Sequence, residues 1–121
     1  GNNRIVALDT TTGTRGSDLF PNYDSADQYR VDGAVLNVMI NGADHGLVQP
    51  SGLALHDDMV FVSDYATSTV YAFSKEGALL DYLATGMPPS TMLGLEFDAQ
   101  GHLFTLDSIA NAAVRIAPLP N

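Results

Sequence analysis

The sequence lacks cysteine and tryptophan and contains little positive charge. Without cysteine, disulfides, thiol catalysis and thiolate metal sites are excluded. Five lysine and arginine residues stand against 14 acidic ones, which gives a formal net charge of −9 at pH 7, and Lys75 is the only lysine. This balance repels phosphate backbones, and no basic stripe compensates for it. We therefore expect neither a nucleic-acid partner nor binding to anionic membranes, and we attribute the charge to solubility.

Long hydrophobic runs are also missing. No stretch approaches the roughly 18 consecutive apolar residues of a membrane-spanning helix, so we expect no membrane insertion. Sustained helical periodicity is absent, and so are a serine nucleophile elbow, a paired-histidine zinc motif and a glycine-rich phosphate loop. A hydrophobic fraction of 45% still permits a packed core.

The sequence does contain an internal repeat. GLALHDDMVFVSDYATSTVYAF begins at Gly52, and GLEFDAQGHLFTLDSIANAAVRIA begins at Gly94. The pairs that match, at offsets of 42 to 44 residues, are Leu53 with Leu95, Phe61 with Phe104, Asp64 with Asp107, and Val70 with Val114. A repeat of this length is typical of arrays and propellers.

Each repeat alternates short apolar runs with polar turns, which predicts antiparallel β-strands. In the first copy we expect strands at 53–55, 59–63, 69–74 and 78–84, and an earlier strand at 34–40. Four strands in about 43 residues match a propeller blade. The expected fold is therefore all-β, made of four-stranded antiparallel blades that form an incomplete ring within this chain.

The motifs resemble NHL repeats, a β-propeller family. The blade entry reads Pro50-Ser51-Gly52-Leu53-Ala54, the second strand ends in Phe61-Val62-Ser63-Asp64, and the third contains Thr69-Val70-Tyr71. The second copy is looser, because Glu96 replaces a small residue and Met92 stands where the proline-serine pair is usual. The resemblance implies a partial blade at 1–46 with a polar insertion at about 14–33, a complete blade at 47–90 and a partial blade at 91–121.

The length suggests that other blades complete the ring. Propellers close with about four to eight blades, and fewer than three fit in 121 residues. Either the chain is a portion of a longer polypeptide or several copies associate. In both cases we expect the remaining blades, from the same protein or from another copy, to be partners.

Candidate site residues follow from the alternation of strand direction. The turns at 64–68 and 107–112 should share one edge with the connections at 44–50 and 86–91. Asp64 and Asp107 recur at one blade position and are expected to accept hydrogen bonds from turn amides. The candidate ligand-binding residues at this edge are Asp44, His45, Gln49, Tyr65 and Ser108. His56 and His102 are expected to be surface residues at the opposite edge.

We expect no resident cofactor and no catalytic residue, and the alternative is a bound divalent metal. The first functional hypothesis is an extracytoplasmic or secreted module that binds a protein, peptide or glycan at its turn-bearing edge. The second follows from the resemblance: gluconolactonase-like propellers and the peptide-amidating lyase bind divalent metals, so His45 or Asp44 would contribute to a hydrolase or lyase site that other blades complete. The third is a structural part that holds subunits together. Asp24, Asp27 and Asp32 lack the regular spacing of a calcium loop.

Overall fold

The computed structural model describes residues 2–19 and 28–117, and this part of the chain is all-β. It contains strands and one short 3₁₀ helix, Gly42–His45, but no α-helix. Within the described ranges, no helix is long and apolar enough to cross a membrane. The strands are β1 Arg4–Asp9, β2 Thr14–Asp18, β3 Tyr29–Asp32, β4 Val35–Asn41, β5 Pro50–His56, β6 Met59–Asp64, β7 Thr69–Ser74, β8 Leu79–Ala84, β9 Met92–Phe97, β10 Leu103–Asp107 and β11 Ala112–Ile116.

The chain divides into two compact units. The smaller comprises residues 6–38, and the larger comprises residues 1–5 and 39–121. The larger unit contains both copies of the repeat.

The centre of the larger unit is a four-stranded antiparallel sheet in which each strand pairs with the next, in the order β5-β6-β7-β8. Its strands agree with the predicted ones, except that β5 extends well beyond the predicted 53–55. The period-2 pattern places Val60 and Val62 on one face and Phe61 on the other, as expected for a strand buried on both faces.

A three-stranded antiparallel sheet follows, in the order β9-β10-β11. Asp64 pairs with Thr69 in the first sheet, and Asp107 pairs with Ala112 in the second. Counting from these pairs, Val70 corresponds to Ala113. The predicted match of Val70 with Val114 is therefore wrong by one residue, because four-residue turns of equal length set the same register in both copies.

Apolar side chains pack on both faces of the four-stranded sheet. One cluster lies on the face of Val60 and Val62, and its buried members are Ile40, Leu47, Val60, Val62, Tyr71 and Phe73. The other joins the two repeat sheets, and its buried members are Ala54, Val70, Met92, Leu95 and Leu103. The two repeat sheets therefore share a hydrophobic interface.

The first strands of the two repeats approach closely at glycine. A Cβ added at Gly52 would lie 2.6 Å from the backbone Cα and carbonyl carbon of Gly94. These two glycines hold the same repeat position, so the glycine of the Pro-Ser-Gly entry is needed for the packing of one sheet on the other.

The predicted insertion at 14–33 contains strands as well as turns. β2 and β3 pair antiparallel within the smaller unit, and the Arg15 guanidinium lies 4.1 Å from the centre of the Tyr29 ring. The structure thus places a strand pair in the 14–33 segment, between β1 and β4, which pair with each other. Asp24 and Asp27 lie outside the described residues. Asp32 forms an ion pair with Arg30, in which the Arg30 Nε lies 2.7 Å from the Asp32 Oδ1.

Replacing Phe73 tests this core. Phe73 is 0% exposed, so Phe73→Ala should lower the free energy of unfolding by about 3–5 kcal/mol, through lost burial and a residual cavity. Leu80→Ala is the matched control, because Leu80 is 54% exposed and its loss should change stability by about 0.5 kcal/mol or less. Urea denaturation followed by circular dichroism measures both. Equal effects of the two substitutions would contradict the assignment of this core.

Candidate functional site

Backbone hydrogen bonds gather the turns and connections at one edge of the repeat sheets. The Tyr65 N–H donates to the carbonyl of Gln49 at 2.8 Å, and the Ser90 N–H donates to the carbonyl of Tyr65 at 2.8 Å. In the second copy, the Ser108 N–H donates to the carbonyl of Thr91 at 2.9 Å. We call the segments 46–49, 64–68, 85–91 and 107–111 the loop edge.

Asp64 fixes the first of these turns. Its carboxylate is 0% exposed and accepts hydrogen bonds from four backbone N–H groups. Two belong to its own turn, Ala66 at 2.9 Å and Thr67 at 3.3 Å. The other two belong to the preceding connection, Val48 and Gln49. One buried carboxylate therefore binds the turn and the connection to each other, and charge-assisted bonds of this kind are stronger than neutral ones.

Asp107 has a different environment although it holds the same repeat position. Its Oδ1 accepts bonds from the N–H groups of Ile109 at 3.0 Å and Ala110 at 2.8 Å, both in its own turn. Within residues 2–19 and 28–117, no hydrogen bond reaches its Oδ2. The side chain orders one turn but does not bind a connection.

Hydroxyl groups hold the connection at 85–91 to the turn at 64–68. The Ser68 Oγ donates to the carbonyl of Pro88 at 2.7 Å, and the Thr91 Oγ1 donates to the same carbonyl at 2.8 Å. The Thr85 Oγ1 and N–H both donate to the carbonyl of Ser68. Ser68 and Thr91 are buried, at 1% and 0% exposure. Sequence reasoning missed these residues, because isolated serines and threonines in polar loops carry no distinctive pattern.

Tyr71 forms a hydrogen bond to the connection at 46–49. Its hydroxyl donates to the carbonyl of Gly46 at 3.3 Å. Burial, followed by the negative charge of Asp64 and by Tyr82, raises the pKa of Tyr71 above its ordinary value. The phenol therefore remains a hydrogen-bond donor at neutral pH.

The predicted ligand-binding residues are only partly brought together. Gln49 and Tyr65 are joined through their backbones, and Ser108 lies in the corresponding turn of the second copy. Asp44 instead accepts a hydrogen bond from the Asn41 side chain at 3.0 Å. The ring of His45 packs edge-on against Phe73, with centroids 5.2 Å apart. This ring is half-buried on the apolar cluster, so packing competes with any role as a ligand.

The described residues offer no metal site. Among them, no three histidine, aspartate, glutamate or cysteine side chains form a group that could hold an ion. His45 and Asp44 therefore have no third ligand within residues 2–19 and 28–117.

The two remaining histidines lie at the opposite edge. His56 stacks on Phe97, with ring centroids 4.4 Å apart and an interplanar angle of 15°. The Nδ1 atom of His102 lies 2.8 Å from Oδ2 of Asp98. Desolvation raises the pKa of Asp98, but the hydrogen bonds from His102 and Gln100 outweigh it and leave that pKa below its ordinary value. The Asp98–His102 pair orders its own turn, whereas the His56–Phe97 stack joins β5 to β9.

Comparisons of the chain with models of protein families, with curated proteins and with solved structures find no match. The geometry of the loop edge is therefore the basis for a functional proposal. It offers backbone groups and a half-buried tyrosine on segments that internal hydrogen bonds hold in place.

The two aspartates provide a matched test of what orders this edge. Asp64→Asn replaces one carboxylate oxygen with an amino group, which leaves at least one buried N–H without an acceptor. We expect the free energy of unfolding to fall by about 1–3 kcal/mol. Asp107→Asn can retain Oδ1, which accepts from Ile109 and Ala110, so it should cost about 0.5 kcal/mol or less.

Urea denaturation quantifies both effects, and amide hydrogen exchange locates them. The expected signature is faster exchange at Val48, whose N–H loses its acceptor Oδ2, in Asp64→Asn alone. Similar losses in both variants would show that Asp64 does not tie the connection to the turn.

Proposed function

We propose that the two repeat sheets are successive blades of an NHL-like β-propeller. Two observations support this. The four-stranded sheet has the sequential strand order of a blade, and the following sheet repeats its first three strands, with the same register between the second and third of them. The apolar interface between the sheets, which includes Val70 and Leu95, is the type of contact that neighbouring blades make.

We further propose that this propeller portion is a non-catalytic module that binds a protein, peptide or glycan at the loop edge. The observation that carries this proposal is the continuous series of hydrogen bonds from Gln49 through Tyr65 to Ser90. It joins two connections and a turn into one surface, and a pre-ordered surface binds with a smaller loss of conformational entropy.

Tyr65 is the central side chain of the proposed surface. Its backbone is held from both sides, and its side chain is half-buried, with no hydrogen bond to any described residue. Tyrosine provides a large contact area at a small entropic cost and is common at binding hot spots. Gln49, Ser90 and Ser108 are exposed around the loop edge and can donate or accept hydrogen bonds.

The metal-dependent alternative gains no support from the described side chains. Asp44 and His45 are engaged with Asn41 and Phe73, and no third ligand accompanies them. In that alternative, the ligands besides Asp44 and His45 would come from other blades.

Arrays of synthetic peptides and of glycans test the proposal. The 121-residue chain should bind at least one probe, and Tyr65→Ala should weaken that binding by about tenfold or more, because removing a hot-spot aromatic loses its buried area. Tyr82→Ala is the matched control, since Tyr82 is a tyrosine on β8 that is 65% exposed. It should leave binding unchanged.

Urea midpoints of both variants show whether either substitution acts through stability. Binding that survives Tyr65→Ala but is lost in Tyr82→Ala would place the site on β8 and contradict the proposal. An absence of binding to every probe by the unmodified chain would contradict it as well.

A further inference from the structure

Asn41 and Gly42 form the only asparagine–glycine pair in the sequence. Asparagine is chemically labile before glycine, because a residue without a side chain leaves its backbone nitrogen free to approach the preceding side-chain amide. Asn41 is the last residue of β4 and is exposed, whereas Gly42 is buried and begins the 3₁₀ helix. The labile pair therefore lies where β4 joins the connection to β5.

Loss of the Asn41 side-chain amide follows a defined course. The Gly42 nitrogen attacks Cγ of Asn41, so that a new C–N bond forms while the bond from Cγ to Nδ2 breaks. The proton of the Gly42 nitrogen leaves with Nδ2 as ammonia, and a cyclic succinimide remains. Water then opens either of the ring's C–N bonds to a carbonyl carbon, which yields aspartate or isoaspartate at position 41.

Two hydrogen bonds engage the reacting groups elsewhere in the folded chain. The Gly42 N–H donates to the carbonyl of Asn3 at 2.8 Å. The Nδ2 of Asn41 donates to Oδ2 of Asp44 at 3.0 Å. Ring closure requires the Asn41 side chain to turn back onto the Gly42 nitrogen, so both bonds must break before the reaction begins.

Asn3 fixes the position of Gly42. Its Nδ2 donates to the carbonyl of Leu47, and the Leu47 N–H donates to the carbonyl of Gly42 at 3.0 Å. A Cβ added at Gly42 would lie 2.8 Å from the Asn3 carbonyl oxygen, so the two segments are in close contact. Isoaspartate routes the main chain through its Cβ and would displace Gly42 from this contact. The three residues must therefore separate before the ring forms.

We propose that Asn41 is a deamidation site whose reaction is controlled by the release of Gly42 from Asn3. The product carboxylate faces the Asp44 carboxylate where a hydrogen bond stood, and the repulsion between them loosens the 3₁₀ helix and the connection at 46–49. Deamidation thus converts a transient opening into a lasting change in one segment of the loop edge. The reaction involves only this chain and water, so it does not depend on what the loop edge binds.

Peptide mapping by mass spectrometry measures conversion at position 41 after incubation of the 121-residue chain at mildly alkaline pH. Conversion should be at least about tenfold slower in the native chain than in guanidinium chloride, because the folded chain reacts only while it is open. Amide hydrogen exchange at Gly42 reports the same opening and should be slowed to a similar extent. Equal conversion rates in the native and denatured chain would overturn the proposal, and so would faster conversion at another asparagine in the denatured chain.

Two variants test what controls the reaction. Asn3→Ala removes the bond to Leu47, so it should speed both conversion and Gly42 exchange in the folded chain by about two- to tenfold. Asp44→Ala frees the Asn41 side chain and should speed conversion by a similar factor, which keeps the proposal testable if Asn3→Ala does not fold. Asn2→Ala is the matched control, because Asn2 is an exposed neighbour of the same type and its loss should change neither rate. Faster Gly42 exchange without faster conversion in Asn3→Ala would contradict the control by Asn3.

Asn41→Asp reproduces one product of the reaction. It should speed amide exchange at Leu47, whose N–H donates to the Gly42 carbonyl, because the carboxylates at 41 and 44 repel each other. Asn37→Asp makes the same charge change at an exposed position of β4 and should leave Leu47 exchange unchanged. Unchanged exchange at Leu47 in Asn41→Asp, or an equal increase in both variants, would overturn the proposed effect on the connection.

Discussion

The loop edge depends on one buried carboxylate. Asp64 is 0% exposed, and an unpaired charge at such a position would be strongly unfavourable. Four backbone N–H groups from two separate segments compensate for its loss of solvent. Because those segments are far apart in sequence, satisfying the carboxylate also fixes where the connection at 46–49 lies relative to the turn at 64–68. The hydrogen bond from the Tyr65 N–H to the Gln49 carbonyl is a further link between the connection and the turn. Apolar packing alone would not orient these two segments.

The second copy of the repeat reaches a similar arrangement by other means. Asp107 orders only its own turn, and the connection at 85–91 is held from the opposite side by Ser68. Hydroxyl-to-carbonyl bonds are individually weaker than those to a carboxylate, but several of them converge on the carbonyl groups of Ser68 and Pro88. The same strand framework therefore supports two connections of different composition. The framework sets where the loops begin, and polar side chains decide how they pack.

This division explains what the sequence could and could not predict. Alternating hydrophobicity located the strands, since burial on a sheet face has a fixed period of two. It did not fix the register of β11, because the run Ala112-Ala113-Val114 is apolar at successive positions and gives no phase. The recurring aspartate at positions 64 and 107 was visible, but the loss of the second pair of donors at Asp107 was not. That difference depends on the backbone path of a connection, which side-chain patterns do not encode. His45 illustrates the same limit, since only tertiary packing places its ring on Phe73.

The two repeat sheets also differ in the side chains that they carry at corresponding positions of one face. Across the four-stranded sheet, one row of paired residues consists of Ala54, Phe61 and Ala72. The two alanine side chains are small, so they permit the next sheet to approach closely. The corresponding row of the second sheet reads Glu96, Phe104 and Arg115. Its two exposed charges flank the aromatic ring, so a neighbour at that row must supply complementary polar groups or leave both charges in water. Identical packing cannot therefore continue past β9–β11. A neighbour that packs on this row meets a mixed surface, apolar at Phe104 and charged on either side of it, and that surface limits the choice of neighbour more narrowly than the strand pattern does.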